Sequence, residues 1–177
     1  MDTTTKTLDL GCGNIPRNDF GATEMYGVDL ISHDNPNVKV ADLAIEPIPF
    51  EDNTFDYVTG YDFLEHIPVL VYNNGVRKNS FIDLMSEIYR VLKPGGIGYF
   101  ATPAYPHKEA FMDPTHVNFI TEHTLQYFCY PSPYTNWWSQ LEGCQNYYGF
   151  KGQFAAIEQK WREDVPYHLI WKIQAIK

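Results

Sequence analysis

Five residues in the first quarter of the chain have the types and spacing of a nucleotide-binding edge. Asp9, Gly11, Gly13, Asp29 and Asp42 stand at or just beyond the ends of short apolar runs. Glycines at 11 and 13 let a chain turn sharply off a strand and let a ligand press against bare backbone. Such a pair is weak evidence alone, because turns use glycine for structural reasons. Asp29 strengthens it: a carboxylate ending a second strand, sixteen residues past Gly13, can accept hydrogen bonds from ribose hydroxyls. Asp42 takes the next position along the same crevice, after a third strand. Asp9 puts a carboxylate where a dinucleotide-binding strand is usually apolar. The bland readings are a solvated strand end for Asp29 and a loop cap for Asp42.

Two histidines are the candidates for proton transfer. His66 is placed at the mouth of a fourth strand, and an imidazole has a pKa suited to a general base. His116 lies in the run Asp113-Pro114-Thr115-His116-Val117-Asn118-Phe119-Ile120-Thr121, a loop of the kind that borders sites. Either ring could instead be packed or capping. His107, Asp113 and His116 would make a two-histidine, one-carboxylate set. They lack tight ligand spacing, so no metal is expected.

These residues need strands to carry them. Short apolar runs alternating with helical patterns predict a parallel sheet with helices on its faces. Thr7–Leu10, Met25–Asp29, Asn37–Ala41 and Phe55–Gly60 read as strands one to four. Phe81, Leu84, Met85, Ile88, Val91 and Leu92 recur at helical spacing. They predict a helix over Ser80–Leu92, with Ser80 as N-cap and Lys93-Pro94-Gly95-Gly96 as stop. Ile97–Thr102 is strand five. Phe154–Ile176 reads as two strands joined near Asp164-Val165-Pro166, an antiparallel hairpin. Asn14–Thr23 holds Pro16, Asn18 and Gly21, which predicts a short turn or loop in place of a full first crossover helix. Thr121 is read as the N-cap of a helix through Leu125 to Phe128.

The 177 residues fit one α/β domain, 1–177, with an aromatic-rich insertion at about 104–150 that includes Tyr127, Phe128, Trp137 and Trp138. A net charge of −9 with no basic run disfavours nucleic acid as a partner. No stretch approaches a membrane span, and Met1–Lys6 lacks the segments of a signal peptide. Cys12, Cys129 and Cys144 suggest neither a disulfide framework nor a zinc cluster. A cytoplasmic protein is expected.

Pro16 stands where a dinucleotide fingerprint has its third glycine, so the site is poorly built for a pyrophosphate. A nucleoside without phosphates, such as S-adenosylmethionine, does not need it. The string Leu8-Asp9-Leu10-Gly11-Cys12-Gly13-Asn14 resembles motif I of the class I methyltransferases. Asp42, Pro49–Asp56, Phe63–Ile67 and Glu87–Gly96 resemble the later motifs in order. The branch most similar is the small-molecule group related to the ubiquinone and menaquinone methylating enzymes, matched over about residues 7–103. The resemblance implies a Rossmann-like sheet of five parallel strands plus the terminal hairpin, and S-adenosylmethionine as cofactor. It implies that Gly11, Cys12 and Gly13 flank the methionine part and that Asp9 holds its amino group. Asp29 and Leu30 would serve the ribose side, Asp42 and Leu43 the adenine, and Gly60 and Tyr61 the region near the sulfonium.

The expected reaction is methyl transfer to an O or N atom of a small-molecule acceptor. The loop Pro68–Asn79 and the aromatic insertion are left to form its pocket, and some of those aromatics fit a homodimer contact equally well. No Asn-Pro-Pro-Tyr-like run or Pro-Cys nucleophile marks a DNA-base methyltransferase. The alternatives are a non-catalytic binding protein on the same fold, another nucleoside-dependent enzyme, and a nucleic-acid methyltransferase.

Overall fold

Strand β1 (Lys6–Leu10) is the axis of the main sheet in the computed structural model, which describes residues 4–130 and 148–177. Leu8 and Leu10 are fully covered because β1 has neighbours on both edges and packing on both faces. On one side lie β2 (Glu24–Asp29) and β3 (Val38–Val40); on the other β4 (Phe55–Tyr61) and β7 (Leu92–Pro103). All five are parallel, paired Leu10 to Val28, Leu10 to Gly60 and Asp29 to Val40 at their carboxyl ends. The order β3-β2-β1-β4-β7, continued by the terminal hairpin, reverses direction between β1 and β4. That reversal opens a crevice beyond the carboxyl ends of both strands.

The terminal hairpin is β8 (Phe154–Trp161) and β9 (His168–Ala175), with β9 inserted antiparallel between β7 and β8. This central position explains why Leu169, Trp171 and Ile173 are completely buried. Helix α1 (Ser80–Val91) sets Phe81, Leu84, Met85, Ile88 and Val91 into the core. Each such side chain contributes about 2 kcal/mol by leaving water.

Several details differ from the sequence reading. Ser80 is the first helical residue and Asn79 occupies the cap position, with no side-chain capping bond at either. Lys93–Gly96 does end the helix, but the chain passes straight into β7, which begins at Leu92. Thr124–Tyr127 forms only a 3₁₀ turn, and the Thr121 hydroxyl accepts from the His123 amide just before it.

The region Pro68–Asn79 carries a two-stranded hairpin, β5 (Val71–Asn73) and β6 (Val76–Lys78). Its turn, Asn74-Gly75, has both residues at positive φ, the conformation that an Asn-Gly pair favours. Among the described residues α1 is the one α-helix, so the other crossovers are loops and 3₁₀ turns. No helix among them is long and apolar enough to cross a membrane. Tyr134, Trp137, Trp138, Cys144 and Tyr147 lie outside the described residues, as do Met1–Thr3.

The first crossover lacks a helix, as Pro16, Asn18 and Gly21 predict. Asn18 instead brackets it, accepting from the Ala22 amide at 2.7 Å and donating to the Ala22 carbonyl at 2.9 Å. Phe20 stacks on Tyr57 of β4 with ring centroids 4.4 Å apart. One aromatic ring thus covers the sheet where a helix face would otherwise lie.

Candidate active site

A cleft of about 230 Å³ lies at the carboxyl ends of β1, β2 and β4, bounded by Gly11, Asp29, Leu30, Asp42, Leu43 and His66. Six separately chosen sequence positions therefore meet at one place. Gly11 turns off β1 at φ +67°, and its amide donates to the Val28 carbonyl at 2.8 Å. A Cβ there would fall 2.8 Å from the Phe63 ring, so glycine is required by conformation and by space.

Asp29 holds this turn in place. Its Oδ2 accepts from the Gly13 amide at 2.8 Å and its Oδ1 from the Ile31 amide at 3.0 Å, with His33 Nε2 3.4 Å away. Partial burial pushes its pKa up. The Ile31 and Gly13 amides and His33 outweigh that effect and leave the pKa below the usual value. Asp29 is thus ionised and preset, with lone pairs still facing the cleft. Asp42 caps its own loop by accepting from the Ala44 amide at 3.0 Å, yet it also borders the cleft. The two readings of Asp42 are compatible.

Asp9, Cys12, Gly13, Gly60 and Tyr61, the other expected cofactor residues, are not among those lining this cleft. Asp9 is buried and accepts from Thr59 Oγ1 at 2.7 Å and the Arg17 amide at 2.9 Å. Desolvation raises its pKa despite those bonds. The Cys12 sulfur is turned onto β2, only 2.3 Å from where a Cβ on Gly27 would sit, and Pro16 covers the same spot at 2.9 Å. Burial beside Asp9 and Asp29 pushes the Cys12 thiol up to about 12, so it is a packing group at neutral pH. A Cβ on Gly60 would meet Phe100 at 3.1 Å and Phe63 at 3.4 Å. Tyr61 hydrogen-bonds to Asp19 beneath the Arg17 guanidinium, which lies 4.1 Å from its ring centre.

The two histidines meet where His66 borders the cleft. His66 ends a 3₁₀ turn, Leu64–His66, that follows β4 directly. Its ring and that of His116 lie edge to face, with centroids 4.9 Å apart. What joins them is the backbone of Glu65, whose carbonyl accepts from the amides of both Val117 and Asn118 at 2.9 and 3.0 Å. Asn118 Nδ2 adds a bond to the Leu64 carbonyl at 3.2 Å. The Glu65 side chain is fully buried; Oε2 accepts from Thr102 Oγ1 at 2.7 Å, while Oε1 has no hydrogen-bond partner among the described residues. Desolvation raises its pKa. His107 packs instead on Trp161, and Asp113 accepts from Thr115, so the set His107, Asp113 and His116 is not assembled.

Glu65 and Gly27 were not singled out in the sequence. Glu65 sits inside the run Phe63–Ile67, and its burial depends on Thr102, far along the chain. Gly27 reads as an ordinary strand glycine, since its function is to admit Cys12 and Pro16 from a distant loop.

The chain matches the methyltransferase domain family over residues 8–100. A demethylmenaquinone methyltransferase of Bacillus pumilus is 30% identical over 121 residues, covering 68% of this chain and 47% of that protein. A sterol 24-C-methyltransferase of Schizosaccharomyces pombe is 32% identical over 111 residues, covering 52% of this chain and 26% of that protein. The chain thus spans half or less of the length of these curated relatives. The crystal structure of a SAM-dependent methyltransferase from Archaeoglobus fulgidus superposes with a TM-score of 0.57 at 17% identity, covering 97% of this chain and 86% of that one, and so shares the fold. Family match, strand order and cleft agree: the chain belongs to the class I S-adenosylmethionine-dependent methyltransferases.

Proposed function

We propose that this chain transfers a methyl group from S-adenosylmethionine to a small-molecule acceptor, at an O or N atom. The observation that carries the reading is the convergence of Gly11, Asp29, Leu30, Asp42, Leu43 and His66 on one cleft at the reversal of strand order. The residues fit a phosphate-free nucleoside. Ionised Asp29 offers lone pairs to ribose hydroxyls, Leu30 and Leu43 give apolar walls for a base, and Asp42 can accept from an adenine amino group. Gly11 and Gly13 leave backbone bare for the methionine part. Asp9, to reach the amino group, would have to share its bond to the Arg17 amide.

The cofactor supplies an activated methyl on a sulfonium. The chain's task is alignment, which can account for about 7–11 kcal/mol of a barrier. His66 and His116 are the groups placed to take a proton from a hydroxyl or amine. A second, apolar groove of about 270 Å³ runs between Phe81 and Ile82 of α1 and the Tyr127–Phe128 turn, with Val69 and Phe150 on its walls. It suits a planar or apolar acceptor and combines the two regions left over for this purpose. The net charge of −9 supports a small molecule over nucleic acid. The name of the sterol relative favours one second reading, transfer to carbon.

The test is incubation with S-adenosylmethionine and a panel of quinols, phenols and amines, scored by mass spectrometry for a one-methyl gain. Calorimetry on the same protein should show one cofactor site. Asp29→Ala should weaken it about 100-fold, since each hydrogen bond to a charged group is worth about 1.5–3 kcal/mol. Cofactor affinity unchanged by that substitution would overturn the reading.

A further inference from the structure

The buried Glu65 carboxylate is not explained by the cofactor cleft. One of its oxygens is held by Thr102, while the other is enclosed with no hydrogen-bond partner among the described residues. Enclosing an unpaired carboxylate oxygen is costly unless a proton or a cation meets it. His66 and His116 stand beside it: one ligand atom from each of the three residues lies within 4.8 Å of the others.

The hydrogen bonds around the two rings fix which nitrogen is available. His116 Nδ1 faces the Ala110 carbonyl at 3.2 Å, and a carbonyl can only accept, so that nitrogen carries the proton. His66 Nδ1 faces the Thr115 carbonyl at 3.2 Å and the Thr115 hydroxyl oxygen at 3.1 Å. The Thr115 hydroxyl proton is already directed to Asp113 at 2.6 Å, so its oxygen too accepts from His66. In its neutral form each ring therefore carries its bare lone pair on Nε2. Imidazoles oriented by an Nδ1–H bond to a carbonyl, next to a carboxylate whose second oxygen is hydrogen-bonded, are the arrangement that metal ligands adopt.

We propose that Glu65, His66 and His116 bind one divalent transition-metal ion at the mouth of the cofactor cleft. Two imidazoles and one carboxylate suit zinc, cobalt, manganese or iron, and disfavour magnesium, which prefers oxygen ligands. The site is held by the fold, because the Glu65 carbonyl anchors the amides of Val117 and Asn118 and so fixes His116 against His66. Three protein ligands leave coordination positions open. His66 also borders the cleft, so those positions are available to an acceptor oxygen. A bound ion would polarise a hydroxyl or enol and lower its pKa, the task otherwise left to a histidine base. This last step rests on the methyltransferase reading; metal binding itself does not.

The test uses tag-free protein stripped with a chelator and titrated with Co²⁺ followed by visible absorption, and with Zn²⁺ or Mg²⁺ by calorimetry. One equivalent of Co²⁺ and of Zn²⁺ should bind, with Mg²⁺ much weaker. His66→Gln and His116→Gln should each weaken Zn²⁺ at least about 10-fold and change the cobalt spectrum, while melting cooperatively. Thr102→Val, which frees the second Glu65 oxygen, should weaken Zn²⁺ about 10-fold, the lower range for an orienting partner. Asp29→Ala should lose S-adenosylmethionine yet keep the metal, which separates the two ideas. Absence of saturable Co²⁺ or Zn²⁺ binding, or affinity unchanged in both histidine variants, would overturn the proposal and leave the pair as proton acceptors.

Discussion

The two ends of the cleft are held in different ways. At the cofactor end, functional side chains sit at strand termini and are fixed by bonds to backbone a turn away, as when Asp29 takes the Gly13 and Ile31 amides. At the histidine end, His116 is carried on a long loop whose distant anchors are the Glu65 carbonyl, which takes the Val117 and Asn118 amides, and the Leu64 carbonyl, which takes Asn118 Nδ2. A sheet register makes the first arrangement follow from local sequence. The second depends on one clamp between segments about fifty residues apart, so the two ends should fail independently when perturbed.

The largest effect is expected where the cofactor turn packs on β2. Gly27→Ala would drive a methyl into Cys12 and Pro16, and overpacking of this kind costs about 1–3 kcal/mol. Thermal melting should show the loss, and calorimetry should show weaker S-adenosylmethionine binding as Gly13 is pulled away from Asp29. Adding Cys12→Ala removes the sulfur and should restore part of both, a coupling that a double-mutant cycle measures. Full additivity would mean that the turn is not braced through this contact.

The clamp at the histidine end is broken more gently. Asn118→Ala removes the side-chain bond to the Leu64 carbonyl, at about 1 kcal/mol. The acceptor KM should rise about fivefold with cofactor affinity unchanged, as steady-state kinetics and calorimetry on one preparation would show. A parallel loss of cofactor affinity would show that the ends are coupled.

This contrast also explains what could be read in advance. The five parallel strands, the terminal hairpin and the helix-free first crossover are all visible in period and punctuation, because each depends on residues close in sequence. So is the meeting of Asp29, Asp42 and His66, since strand ends in a parallel sheet converge by topology. Glu65 was missed because its burial depends on Thr102 and on residues 117–118, which no local pattern connects to it. Asn74-Gly75 was different: the hairpin signal was present but lay in a segment read as loop.

The smallest effect lies between the two ends, at Asp62. It follows β4, holds a positive φ of 48°, and meets His168 Nε2 at 2.7 Å. That bond is the main cause holding its pKa below the usual 3.8, against partial burial. A folded-state pKa below the unfolded one gives stability that is present above 3.8 and lost as pH falls through the lower value. Asp62→Asn keeps the shape and tolerates the left-handed backbone, so it removes the charge alone. Because the carboxylate is half-exposed and screened, melting at pH 6 should fall by only about 1–2 °C. The difference from the native chain should close as both are acidified below 3.8. A gap that persists to low pH would mean that shape at this hinge matters more than charge. A gap that also alters cofactor and acceptor binding together would identify Asp62 as the residue through which the two ends communicate.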